Sequence, residues 1–182
     1  MSVTETDWIR EVLNQYERPL VRYATRLLGD IDRARDVVQE AFMRLCSEPR
    51  EKVEPHLNRW LFTVVRNRAL DLGKKDGRMT PIADSHTEQT SSRQDPARRV
   101  EEEDTAARIV RELESLPANQ REVLRLKFQN GFSYREIAEV TELSVGNIGF
   151  LIHVGLKTLR ERMGTISGEA MRTSGLKPEV QS

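Results

Sequence analysis

Three groups of side chains in this sequence are spaced to share a surface, and their types suit recognition rather than catalysis. At helical spacing, Asp32, Asp36, Gln39, Glu40 and Met43 fall on one side of a segment. They make an acidic and polar strip with one soft apolar residue, which is either a solvated face or a docking face. Arg59, Thr63, Arg66, Asn67 and Leu70 share the outward side of a second segment, with Trp60 and Phe62 adjoining and Lys74, Lys75 and Arg78 following. Arg and Asn side by side can contact phosphates and base edges, so this is a nucleic-acid candidate. Lys74 and Lys75 can equally be capping charges, since cations are favoured at a helix C-terminus. A third segment turns Gly146, Gly149, Phe150, His153, Lys157 and, at the margin, Arg160 outward. The residue types of covalent or metal chemistry are scarce. The three histidines, His56, His86 and His153, lie on separate segments with no evident metal or nucleophile constellation. Cys46 is the only cysteine, which excludes an intrachain disulfide and a cysteine zinc cluster, and it reads as a half-buried thiol. Neither an enzyme nor a cofactor or metal is expected.

The elements that must position these groups are helices. No strand-like alternation of any length appears, whereas helical periodicity runs from Trp8 to Leu72 and again from Thr105 to Met163. The acidic strip belongs to a helix capped by Asp30 or Asp32, with a buried stripe of Ala34, Val38, Ala41 and Leu45. The Arg/Asn face belongs to a helix burying Leu57, Leu61, Val64, Val65, Ala69 and Leu72. In the second block, Pro117 opens a helix with an apolar stripe of Val123, Leu124 and Phe128, and Gly131 breaks it. Ser133 can cap a short helix through Val140, "TELS" makes a turn, and Ser144 can cap a last helix whose core face is Ile148, Leu151, Ile152, Gly155, Leu159 and Met163. Two helices joined by a tight turn outline a DNA-reading helix-turn-helix, in which the second helix enters the major groove. Yet from Glu136 to Leu156 there is no Lys or Arg, while Glu136, Glu139 and Glu142 are present.

With 182 residues, 37% hydrophobic and 32% charged, the chain is globular and long enough for two small domains. Its net charge of zero hides a partition: residues 9–78 carry +4, residues 79–104 carry −4 and residues 105–163 carry +2. The expected organisation is all-α, with a helical domain at 9–78, a flexible acidic linker at 79–104, a helix-turn-helix domain at 105–163 and a disordered tail at 164–182. No apolar run approaches the roughly 20 residues that span a bilayer, and the first residues lack a basic region followed by an apolar core. The chain is therefore expected in the cytoplasm, without membrane insertion.

The residues "RPLVRYATRLLGDIDRARDVVQEAFMRL", then "RWLFTVVRNRALD", then a linker and "LESLPANQREVLRLKFQNGFSYREIAEVTELSVGNI" resemble the sigma-70 family of bacterial RNA polymerase initiation factors, specifically its extracytoplasmic-function group. The likeness covers about three quarters of the chain in the family's order. It implies a region 2 that grips the polymerase clamp and melts the −10 promoter element, and a region 4 that binds the polymerase flap and the −35 element. Carried over by residue, it assigns clamp docking to Asp32, Asp36, Gln39, Glu40 and Met43. It assigns −10 handling to Arg59, Trp60, Thr63, Arg66 and Asn67, with the cations Lys74 and Lys75 beyond them. The recognition helix departs from the family, which commonly has basic residues where this chain has Gly149, Leu151, Val154 and Leu156. Asn147, Phe150, His153 and Lys157 remain for −35 readout, Phe150 being suited either to touch a thymine methyl or to dock a protein partner, with Arg135 and Arg160 placed for phosphates. The implied partners are core RNA polymerase, promoter DNA and an anti-sigma factor. The alternative is a sigma-mimicking adaptor that occupies an anti-sigma factor or the polymerase without directing initiation.

Overall fold

The computed structural model describes the backbone of residues 3–75 and 105–173 and the side chains of residues 5–75 and 108–163. The expected linker at 79–104 and residues 174–182 of the expected tail lie outside the described residues. All regular structure among the described residues is helical: α1 (Val3–Leu28), α2 (Ile31–Leu45), α3 (Arg50–Val53), a 3-10 turn (Glu54–His56), α4 (Leu57–Lys75), α5 (Thr105–Glu114), α6 (Ala118–Phe128), α7 (Tyr134–Thr141) and α8 (Val145–Thr173). The chain divides into two compact units. The first contains α1 to α4 together with Phe132–Ser144, hence α7; the second contains α5, α6 and α8.

In the first unit, α1 begins at Val3, five residues before the expected start of periodicity, and buries Trp8, Ile9, Val12, Leu20, Tyr23 and Ala24. Gly29 ends it with φ +72, a backbone conformation that L side chains rarely adopt. Asp30, not Asp32, caps α2, its carboxylate accepting from the amides of Asp32 (2.9 Å) and Arg33 (3.1 Å). The expected stripe of Ala34, Val38, Ala41 and Leu45 is buried, widened by Val37 and Phe42. Cys46 is exposed rather than half-buried, because it is the C-cap residue just past the last buried position, Leu45. The Arg50 guanidinium lies 5.1 Å from the Trp8 ring centroid and bonds Glu54, which ties the short α3 to α1.

Helix α4 packs against α1, α2 and α7. Leu61, Phe62, Val65 and Ala69 fill the core, and burial of each of the three larger side chains contributes roughly 1.5–3 kcal/mol. Leu57, Val64 and Leu72, expected on the same stripe, are only half-buried. Phe62 stands between Tyr23 (centroids 5.1 Å apart) and Phe132 (5.3 Å, edge to face), so one aromatic row links α1, α4 and the segment entering α7. Ser133 caps α7 in a reciprocal box: its amide donates to the Glu136 carboxylate (2.8 Å), and the Glu136 amide donates to the Ser133 hydroxyl (3.2 Å). Glu142 closes α7 in the left-handed conformation, φ 61.

In the second unit, α8 packs against α5 and α6. Ile148, Leu151, Ile152 and Gly155 of α8 are buried as expected, with Val123, Leu124 and Leu126 of α6. Phe128, expected on the α6 stripe, is 63% exposed, because it is the last residue of the helix and extends past the core. A Cβ built on Gly155 lies 2.8 Å from Leu124 Cδ1, so the glycine permits a close approach of α8 to α6. The backbone of α8 remains helical to Thr173, into the segment expected as a disordered tail.

Candidate functional site

The α2 strip is formed as its spacing requires. Asp32, Asp36, Gln39, Glu40 and Met43 are all exposed, opposite a stripe that seals the helix to the core, and Met43 is 64% exposed. Asp32 pairs with Arg35 one turn on (3.2 Å). Glu40 has a cross-helix partner: both of its carboxylate oxygens accept from Arg68 of α4, at 2.5 and 3.0 Å. This bidentate bond and the Arg68 charge hold the Glu40 carboxyl below its ordinary range and raise the Arg68 guanidinium.

On α4, the structure gathers some of the Arg/Asn candidates and separates others. Arg59, Trp60, Thr63 and Asn67 line one polar cleft of about 480 Å³, together with Arg44, His56, Arg68, Glu40, Asp71 and Glu139. Thr63 is turned back, its hydroxyl donating to the Arg59 carbonyl (2.9 Å). Asn67 is exposed, whereas Arg59 forms an ion pair with Glu139 of α7. Arg66, expected on the outward face, is 3% exposed. With α1, α2 and α7 all packed on α4, little of that helix has an open side. Lys74 and Lys75 are exposed in the last turn, outside the cleft lining. Both sit where the helix dipole favours cations.

The cleft contains residues that the spacing of single helices did not single out: Arg44, His56, Arg68, Asp71 and Glu139. Arg44 and Arg68 come from facing helices, 24 positions apart, and a helical wheel ranks residues only within one helix. The lining mixes cations (Arg44, Arg59, Arg68) with carboxylates (Glu40, Asp71, Glu139), which suits a polar partner with both donors and acceptors. Among the described residues, no group of three or more His, Cys, Asp or Glu is placed to hold a metal ion.

On α8, Phe150, His153, Lys157 and Arg160 are exposed on one face, and Asn147 beside them is half-buried. Lys157 approaches Glu161 at 3.9 Å. Arg135 is exposed and stands on α7, in the first unit. No single helix among the described residues is long and apolar enough to cross a membrane.

Comparison with known proteins matches both halves of the chain. The family model for sigma-70 region 2 matches residues 12–79, and that for sigma-70 region 4 matches residues 106–159. The ECF RNA polymerase sigma factor SigL of Mycobacterium tuberculosis is 30% identical over 166 residues, covering 87% of this chain and 90% of SigL. EcfG of Rhodopseudomonas palustris is 33% identical over 146 residues, covering 79% and 78% of the two chains. SigM of Bacillus subtilis is 30% identical over 145 residues, covering 76% and 85%. The sigma factor RpoE from Bartonella quintana, solved with the anti-sigma factor NepR, aligns with TM-score 0.56 and 23% identity over 85% of this chain and 96% of RpoE, a likeness of fold.

Proposed function

Because this chain belongs to the extracytoplasmic-function group of the sigma-70 family, we propose that it binds core RNA polymerase and directs promoter recognition, DNA melting and transcription initiation. The observation that carries this reading is the α2 helix. Its Asp32, Asp36, Gln39, Glu40 and Met43 are exposed while the opposite stripe is buried, a polar face of which the fold, among the described residues, uses only Glu40, held by Arg68, and Asp32, held by Arg35. That face docks on the polymerase clamp. The α4 cleft residues Arg59, Trp60, Thr63 and Asn67 handle the −10 element, with Lys74 and Lys75 adding positive charge at the helix end. The exposed face of α8 meets the −35 element, and Arg135 and Arg160 approach phosphates. Arg66, being buried, acts by supporting α4.

The protein works in the cytoplasm without catalysing a reaction of its own. An anti-sigma factor is a further partner, supported by the fold shared with the RpoE of the RpoE–NepR pair. Run-off transcription with core polymerase and the full chain on candidate promoters tests the reading. Transcripts that require both the chain and a promoter support it, and their absence on every promoter refutes it. The adaptor reading is favoured by one observation, the lack of any Lys or Arg in α8 before Lys157. It predicts tight polymerase or anti-sigma binding with no transcript.

A further inference from the structure

We infer that Phe150 reads the methyl group of a thymine in the −35 element, so that this chain selects an A·T pair there by an apolar contact instead of a guanidinium-to-guanine hydrogen bond. The inference rests on the assignment of α8 to promoter contact. In a helix-turn-helix the N-terminal residues of the second helix lie nearest the base edges. Helix α8 starts at Val145, and its first cation, Lys157, comes twelve residues later, roughly 18 Å along the axis. The common guanine contact, Arg or Lys to O6 and N7, is therefore absent from the part of α8 that enters the groove first.

Apart from the half-buried Asn147, what that part offers is apolar. Phe150 is 51% exposed although its neighbours Ile148, Leu151 and Ile152 are 0%, 5% and 3% exposed. The core is complete on the other side of the helix, so packing leaves half of the Phe150 surface to solvent. Around it the helix surface is low. Gly146, Gly149, Phe150 and His153 fall within about 100° of one another on the helix, and a Cβ on Gly146 would meet nothing within 4 Å. Among the described residues no neighbour requires a glycine at 146, and its lack of a side chain lets a groove wall come close to the backbone while Phe150 projects beyond it. The only apolar group that a base pair presents in the major groove is the thymine C5 methyl.

The test uses the full chain with core polymerase. Templates randomised over the −35 element are selected by initiation, and every thymine of the recovered element is then replaced singly by deoxyuridine, which removes the methyl and nothing else. At one thymine, initiation by the wild type should fall about fourfold, the factor that corresponds to burying one methyl group. Phe150→Ala should initiate as weakly on the thymine template as wild type does on the deoxyuridine template, and should be indifferent to that replacement. Phe150→Leu, which keeps an apolar tip, should recover part of the methyl dependence. Circular dichroism should show both variants folded, since the side chain is half exposed. Equal initiation by wild type from thymine and deoxyuridine templates overturns the inference while leaving the sigma reading intact. So does a Phe150→Ala variant that retains the full deoxyuridine penalty, or one whose only defect is in binding core polymerase, which would make Phe150 a protein contact. No initiation from any template overturns both readings.

Discussion

Replacing Glu40 by Arg does two things at once, and the structure shows how to separate them. The Glu40 carboxylate faces the proposed clamp surface and also receives both hydrogen bonds of the Arg68 fork, with side chains 50% and 36% exposed. An exposed ion pair contributes about 0.2–1 kcal/mol. Reversal replaces that attraction by repulsion of similar size, so Glu40→Arg should cost roughly 0.5–2 kcal/mol of stability. For a unit of this size, 1 kcal/mol shifts the melting temperature by about 4–8 °C, so the loss is measurable. Core-polymerase affinity should fall as well, by about 2 kcal/mol or roughly thirtyfold in Kd, if a clamp cation approaches the same carboxylate. The double variant Glu40→Arg with Arg68→Glu restores the internal pair but leaves a cation on the strip. It should recover the melting temperature and not the affinity. The measurements are calorimetric melting and fluorescence anisotropy of labelled chain titrated with core polymerase. Recovery of both properties would show that Glu40 acts only by bracing α4, and the clamp assignment would fail at this residue.

Asn67→Ala should leave stability within about 0.5 kcal/mol, because the side chain is exposed, yet weaken promoter opening by about 1–3 kcal/mol. Permanganate reactivity of promoter thymines reads this, and unchanged reactivity counts against a −10 role. Arg66→Ala, one residue earlier but 3% exposed, should show the opposite pattern, with lowered melting and a promoter defect no larger than the loss of folded protein explains. Gly146→Ala and Gly155→Ala should move melting in opposite directions. Alanine at 146 meets open space and gains roughly 0.5–1 kcal/mol of helix propensity, whereas alanine at 155 must displace Leu124 Cδ1 from 2.8 Å inside the core, at a cost of about 1–3 kcal/mol. Stabilisation by Gly155→Ala would show that Leu124 moves without strain. Acid should weaken the first unit in a defined direction. Arg68 and Arg50 lower the Glu40 and Glu54 carboxyls below the ordinary 4.5, so the stability of these pairs is present above that pH and lost as pH falls through the lowered values. Melting of the Glu40→Gln, Glu54→Gln double variant should therefore depend less on pH below 4.5 than that of wild type, and an equal dependence would remove these pairs as the cause.

What could be read in the sequence was what one helix decides by itself. The 3.6-residue period placed Ala34, Val38, Ala41 and Leu45 inside and the acidic strip outside, and the structure keeps both. Local capping was legible for the same reason, since Ser133 and the amide it serves at Glu136 are three residues apart. A wheel, however, assumes that a helix has one buried side. That assumption holds for α2 and fails for α4, whose packing on α1, α2 and α7 takes Arg66 out of solvent although its wheel position is outward. Pairs between helices were illegible for the complementary reason. Glu40 and Arg68 are 28 residues apart, and Arg59 meets Glu139 across 80 positions, so neither contact leaves a mark in the periodicity of its own segment. These long-range pairs bear directly on the candidate site. Arg59 supplies charge to the α4 cleft only as far as Glu139 leaves it uncompensated, and Glu40 presents to a partner only the charge that Arg68 does not already balance. The chemistry of both faces is thus set by partners on other helices, while the sequence of each helix sets only which way the face points.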